Sequence, residues 1–441
     1  MVLARQNRKR MMKIKQIERI FFIVLLILCA LLAIQLYDGQ KSSGASRTDK
    51  EKVRTEEQSL PAAYDLRAEN RQPEIRDQGS RRNCWAEAAS AALESVLLPE
   101  EKVKFSSEHM TSQNSFTRNL DDGGDYTMIM AYLAAWQGPV YDSEENSPPA
   151  KHVQEMQLFQ EKDYEAIKKA VYQYGAVQSS IYMDMQNAFS SSVYYNQLNA
   201  SYYYPGEEQA NHDVLIIGWD DTYPAENFNV NTQKNGAFIC QNSWGEEFGD
   251  DGIFYVSYED GNIARNSIAY TRIENCDNYD DMYQTDLCGW VGQLGYGDGT
   301  CYFANIFEAD RNEYLEAVGF YATGKDTEYS IVVMDGEKDL SNALLEKERA
   351  SGKLDQAGFY TSSLNAPVLL EKGKKYAVVV KIYTPEEEYP VAAEYAADDA
   401  TREVDLSDGD GYISHNGAKW TGTESEYYCN VCMKVYLNRN K

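Results

Sequence analysis

Residues 77–86 read Asp77-Gln78-Gly79-Ser80-Arg81-Arg82-Asn83-Cys84-Trp85-Ala86. The first part is turn chemistry, with Gly79 and short polar side chains around it. The second part opens an apolar, Ala-rich run to residue 98 that holds neither Pro nor Gly. That run predicts a helix over 84–98, with Asn83 as a suitable N-cap. Cys84 then falls at a helix amino end, where the free N–H groups and the dipole favour a thiolate. A lone cysteine at a helix start is more often inert, so chemistry at Cys84 needs partners elsewhere.

The partner required is an imidazole, which holds the thiolate and later protonates a leaving amine. The chain has 4 His, at 109, 152, 212 and 415. His212 opens the apolar run Asp213-Val214-Leu215-Ile216-Ile217-Gly218-Trp219, so a strand would hold it rigidly. His109 lies in a polar helix-like stretch and reads as structural. His152 and His415 read as surface residues. An imidazole must also be oriented through its second nitrogen. Asn242, followed by Ser243-Trp244-Gly245, offers an amide oxygen for that bond and an indole to shield it.

These motifs, in the order Cys, His, Asn, closely resemble the papain-like cysteine peptidases. Other segments carry the same resemblance: Leu60-Pro61-Ala62-Ala63-Tyr64-Asp65-Leu66-Arg67, Asp122-Gly123-Gly124, Trp136-Gln137-Gly138-Pro139-Val140 and Gly252-Ile253-Phe254-Tyr255-Val256-Ser257-Tyr258. It covers roughly 60–274. It implies Cys84 as nucleophile, His212 as acid/base and Asn242 as its orienting partner. Gln78 would donate an amide N–H to the oxyanion, with the Cys84 backbone N–H as second donor. Trp244 would cover the His212–Asn242 bond. Gly123 and Gly124 would line the non-primed cleft, where a missing Cβ lets a substrate backbone approach.

The family usually has Cys-Gly-Ser-Cys-Trp where this chain has Arg81-Arg82-Asn83-Cys84-Trp85. The family's disulfide at these positions is replaced by Arg81 and Asp121, which are expected to form an ion pair. Glu87 stands where the family usually has an aromatic residue, and is expected to face solvent, with a part in substrate preference as the alternative. The long inhibitory propeptide of the family has no recognisable counterpart, so zymogen control of that kind is not expected.

Residues 1–19 are rich in Lys and Arg, and 20–37 form an apolar run broken only by Gln35. No small-x-small site follows directly. The segment reads as an uncleaved signal anchor, with a cleaved signal as the alternative. The basic flank places the amino end in the cytoplasm and the remainder outside, so the expected location is the cell membrane, single-pass. Residues 38–60 read as a solvated linker. The whole chain has 441 residues and a formal net charge of −27, and its amino end is basic. A main body that acidic argues against nucleic-acid or anionic-lipid partners.

After about 274 the pattern changes to successive strand-like runs at 315–321, 328–334, 375–383 and 427–437. The Met282-Tyr283-Gln284, Ala304-Asn305-Ile306-Phe307 and Leu315–Tyr321 segments resemble the lectin-like β domain of some bacterial papain-like surface enzymes. The 34 Tyr would suit sugar stacking or ordinary strand faces. Of the 8 Cys, Cys429 and Cys432 form a single CxxC without further ligands, so no metal and no cofactor are expected.

The expected architecture is therefore an N-terminal transmembrane helix, an α+β two-lobed papain-like domain over 61–274 and an all-β sandwich over 275–441. The expected function is a membrane-anchored extracellular cysteine endopeptidase. Its partners would be a peptide or protein substrate, the membrane through the N-terminal helix, and a cell-surface glycan through the C-terminal domain. Two rivals stay open: a catalytically inactive papain-fold adhesin or carbohydrate-binding protein, and another Cys-His acyl-transfer enzyme such as a transglutaminase or cell-wall amidase.

Overall fold

The structure is a computed structural model that describes residues 59–440, apart from 120, 121, 145, 161, 337 and 408. The expected anchor over 20–37 lies outside the described residues. Among the described residues no helix is long and apolar enough to cross a membrane.

The helix expected over 84–98 is α1, Cys84–Leu97. Trp85, Ala86, Ala88, Ala89, Ala91, Ala92 and Leu93 are all buried, so the helix is covered on nearly every side. Its small side chains let other elements approach closely. Around it lie α2 (Ser107–Ser112) and α3 (Tyr126–Ala134). A further helix, α4, spans Tyr164–Gln173.

The strands of this half are β1 (Ala63–Asp65), β2 (His152–Gln160), β3 (Val177–Ile181), β4 (His212–Asp220), β5 (Ala237–Gln241), β6 (Ile253–Ser257) and β7 (Asn266–Glu274). Their order is β2-β7-β3-β4-β5-β6, and β1 also pairs with β4. β4 is central, and its residues from His212 to Trp219 are buried. That explains its continuous apolar reading. Gly218 is required there: a Cβ would stand 2.2 Å from the Tyr64 carbonyl of β1.

The C-terminal half contributes β8 (Asp281–Gln284), β9 (Thr300–Glu308), β10 (Glu313–Ala322), β11 (Thr327–Asp335), β12 (Ala357–Leu370), β13 (Lys375–Tyr383) and β14 (Met433–Asn438). One sheet holds β11-β13-β9 in sequence, and another holds β8-β14-β10-β12. A core that includes Phe303, Val318, Phe320, Val378, Val380 and Val435 draws on strands of both. The continuous strand expected over 427–437 is broken. Tyr428 takes a left-handed φ of 55°, and regular pairing resumes only at Asn430.

The two halves share one sheet. β12 pairs antiparallel with β2, matching Ala357 with Leu158 and Tyr360 with Glu155. Gly358 sits in this seam at φ +143°, where a Cβ would be 2.0 Å from the Met156 carbonyl oxygen. Side chains continue the seam. Thr361 Oγ1 donates to Gln154 Oε1 at 2.6 Å. Trp136 stacks on His152 with ring centroids 3.6 Å apart. His152 Nδ1 lies 2.6 Å from Asn278 Oδ1. His152 is thus 5% exposed rather than on the surface, because the C-terminal half covers it. Burial lowers its pKa. His415 is exposed, beside Asp298, and His109 bonds Tyr132 through Nδ1.

Candidate active site

Cys84 opens α1 as expected, but Asn83 does not cap it with its side chain. The Asn83 amide instead donates to Glu87 Oε1 at 3.1 Å. Glu87 faces inward rather than toward solvent. Its other oxygen pairs with Arg76 Nη1 at 2.9 Å, and Ser107 Oγ donates to Oε1 at 2.6 Å. Arg76 also meets Glu94 at 2.5 Å and the Phe105 carbonyl at 2.8 Å. This buried ionic cluster ties the turn before Cys84 to the body of α1. A buried acid facing an arginine is stable where an acid facing apolar packing would not be. The partner, Arg76, stands eleven residues before Glu87 in the chain.

Arg81 pairs with Glu108, while Asp121 lies outside the described residues. Arg81 is exposed and Glu108 half-buried at the surface, so the pair contributes little stability.

His212 begins β4, and its Nε2 lies 2.8 Å from Asn242 Oδ1. The same oxygen accepts from the Ser243 backbone N–H at 2.8 Å. That N–H fixes the amide, because only an oxygen can face it. His212 must then carry its proton on Nε2, which leaves Nδ1 as an acceptor. The Trp244 ring centroid is 4.9 Å from that of His212, and Phe248 backs Trp244 edge-on at 5.2 Å. Water is thereby kept from that side of the imidazole.

Gln78 is held by the segment just after Asn242. Its backbone N–H donates to the Ser243 carbonyl at 2.8 Å. Its Oε1 accepts from Ser243 Oγ at 2.7 Å, and its Nε2 donates to the Arg81 carbonyl at 2.7 Å. One amide hydrogen remains. In the sequence Ser243 is no more than a motif neighbour of Asn242, and the structure gives it this orienting contact. Gly123 takes φ +78°. Gly124 packs on α1, where a Cβ would be 2.5 Å from the Trp85 indole. Close approach to Trp85 is reason enough for a glycine at that position.

The Cys84 thiol lies against the backbone N–H of Asp213, the residue after His212, and against those of Cys84 and Trp85. Burial pushes the thiol up to about 12, and the Asp213 carboxylate pushes the same way. Burial pushes His212 down to about 4, against the Asn242 bond. Each charge alone is disfavoured here.

Asp213 was not singled out in the sequence. It is 8% exposed, yet carries a carboxylate beside the nucleophile. Gln178 Nε2 and Ser180 Oγ each donate to it at 2.6 Å. Burial raises it to about 6.

A cysteine at a helix head, its thiol against the strand that an Asn-oriented histidine opens, defines a papain-like class of site. Residues 60–273 match the papain family of cysteine proteases, and residues 282–437 match the lectin-like domain. The chain carries a papain-family peptidase domain followed by a lectin-like domain. The solved cysteine protease and lectin-like domains of Cwp84, a surface layer associated protein of Clostridium difficile, share the fold. The TM-score is 0.73 at 24% identity, over 87% of this chain and 90% of that one. Cathepsin K of Mus musculus is 25% identical over 225 residues, 46% of this chain and 62% of that one. Cathepsin S of Bos taurus is 27% identical over 245 residues, 51% of this chain and 66% of that one. The chain therefore spans less than two thirds of either cathepsin.

Proposed function

We propose that this chain is a cysteine endopeptidase that hydrolyses peptide bonds through Cys84, His212 and Asn242. The observation that carries the reading is the His212–Asn242 bond, with the Cys84 thiol against the next residue of the same strand. Cys84 gives its proton to His212 Nδ1 and its sulfur attacks the peptide carbonyl. The oxyanion takes the Cys84 N–H and the remaining Gln78 amide hydrogen. His212 passes the proton to the leaving amine, which departs and leaves an acyl-enzyme. Water, deprotonated by His212, then releases the acid and restores the thiol.

The test is labelling of the full chain with a peptidyl epoxide, followed by mapping of the alkylated residue. Label on Cys84 that is lost in His212→Ala supports the reading. Folded protein without label at Cys84 overturns it and favours the inactive adhesin.

We also propose an outward-facing location, anchored through 20–37, on the strength of the basic flank and apolar run alone. Protease shaving of intact cells that leaves the catalytic domain untouched would refute it. Glycan binding by the lectin-like half is supported by the exposed Tyr296, Tyr389, Tyr395, Tyr427 and Tyr428. Aromatic faces of that kind stack on sugar rings. A glycan array that retains no full-length protein would remove this part.

A further inference from the structure

The buried carboxylate of Asp213 sets a charge beside the nucleophile that the protein itself leaves uncompensated. Among the described residues no Lys, Arg or His pairs with it. Its partners are a neutral amide and a neutral hydroxyl. Burial without a cation is costly, and such a group at a reaction centre points to a ligand. The cost extends to the chemistry, because the carboxylate opposes ionisation of Cys84.

The groups around it come from separate elements. Ser180 is its cross-strand partner on β3 and is half-buried. Tyr126, at the head of α3, is half-buried and its ionisation is opposed by burial, then by Asp125 and Asp213. Asp125 raises Asp213 in turn. Tyr126 lies just past Gly123 and Gly124 in the chain, the wall that receives the acyl side of the substrate in the peptidase reading. Asp213 is thus coupled to the residues that follow that wall, and among the described residues no cation pairs with it.

We infer that Asp213 is a specificity-determining residue that selects a lysine or arginine side chain within two residues of the scissile bond on its acyl side. This deepens the peptidase reading above and rests on it. A guanidinium or ammonium fits because it would satisfy the spare lone pairs on both Asp213 oxygens and neutralise the charge. It would also lift the repulsion that Asp213 exerts on Cys84, so the correct substrate favours its own attacking thiolate. Selection should therefore show in kcat as well as in KM.

The experiment uses the full chain and fluorogenic peptide amides that vary Arg, Lys, Leu and Phe at the first two acyl-side positions. For wild type, kcat/KM for the best basic substrate should exceed its Leu counterpart by ~10-fold or more, part of it in kcat. Asp213→Asn should cut that ratio by ~10-fold. A pH series on wild type needs no variant. The ratio should fall as pH drops below about 6, where Asp213 gains a proton. Asp125, Tyr126, Tyr270 and Cys84 are the other titratable groups facing it. A wild-type ratio at or below one at both positions overturns the inference, as does a ratio unchanged in Asp213→Asn. Epoxide labelling of Cys84 run alongside separates the two levels. Labelled Cys84 with no basic preference removes only this inference. Unlabelled Cys84 with no cleavage of any peptide removes the peptidase reading and this inference with it.

Discussion

Asp286 in the lectin-like half and Asp213 in the cleft are both buried. Asp286 meets Lys434 Nζ at 2.8 Å, and that ammonium also donates to the Asp286 carbonyl at 2.6 Å. Glu394 nearby is pushed up to about 7, chiefly by burial, so the three groups approach neutrality together. Asp213 has no such cation. The Arg76–Glu87–Glu94 cluster behind α1 sets one cation against two acids, and burial raises Glu94 toward its neutral form. In these two clusters each buried acid meets, or lies beside, a cation that the protein itself supplies. The one at the cleft awaits a match from outside.

The largest effect that would sharpen this contrast lies at the cleft. His212→Ala should lower kcat/KM by ~10³-fold or more while leaving urea stability near wild type. A variant that unfolds early would show that His212 is structural and weaken the division. Next, Lys434→Met should strand Asp286 and cost about 3–5 kcal/mol in urea unfolding, with activity per folded molecule retained. An unchanged midpoint would break the claim that this pair is a structural one.

Asp213→Asn should act in the opposite direction. The folded carboxyl titrates at about 6 against an ordinary 3.8, so the native state holds its proton more tightly than the unfolded chain. Stability attributable to this group is therefore greatest below pH ~4 and is lost as pH rises through about 6. Removing the charge should stabilise the protein by up to roughly 3 kcal/mol at neutral pH and by little at pH ~4. Cys84 should also react faster with iodoacetamide at pH ~8 once the carboxylate is gone. A variant that is less stable at neutral pH, with a slower thiol, would mean that Asp213 is a structural anchor. The smallest effect belongs to Arg81→Ala. It breaks a surface pair with Glu108 and should cost only about 0–1 kcal/mol by urea unfolding.

Much of the catalytic half was legible because its signals are local. The Ala-rich run gave α1 nearly to the residue, and the apolar run after His212 gave β4. Cys84, His212 and Asn242 announced themselves through their immediate neighbours in the chain. The parts that were hidden depend on distant partners. Glu87 reads as a surface acid until Arg76 is placed against it. His152 reads as exposed until Asn278 and Trp136 enclose it. Asn83 has cap chemistry but a stronger claim from Glu87. Asp213 looked like one more polar residue at a strand start, and only its burial gives it meaning. In the C-terminal half, the strand-like runs located strands but not their neighbours. Nothing around Gly358 names β2 as the strand it must meet.

That seam dictates an order of events during synthesis. Gln154 and Thr361 are separated by 207 positions along the chain, yet bond directly. Until the ribosome has produced β12, the peptidase half emerges with the rim of β2 unfilled and Met156 and Leu158 lacking their cover. Contacts so remote in sequence form late. The β2 edge of the peptidase-like half is therefore completed only after residues up to 370 have been made.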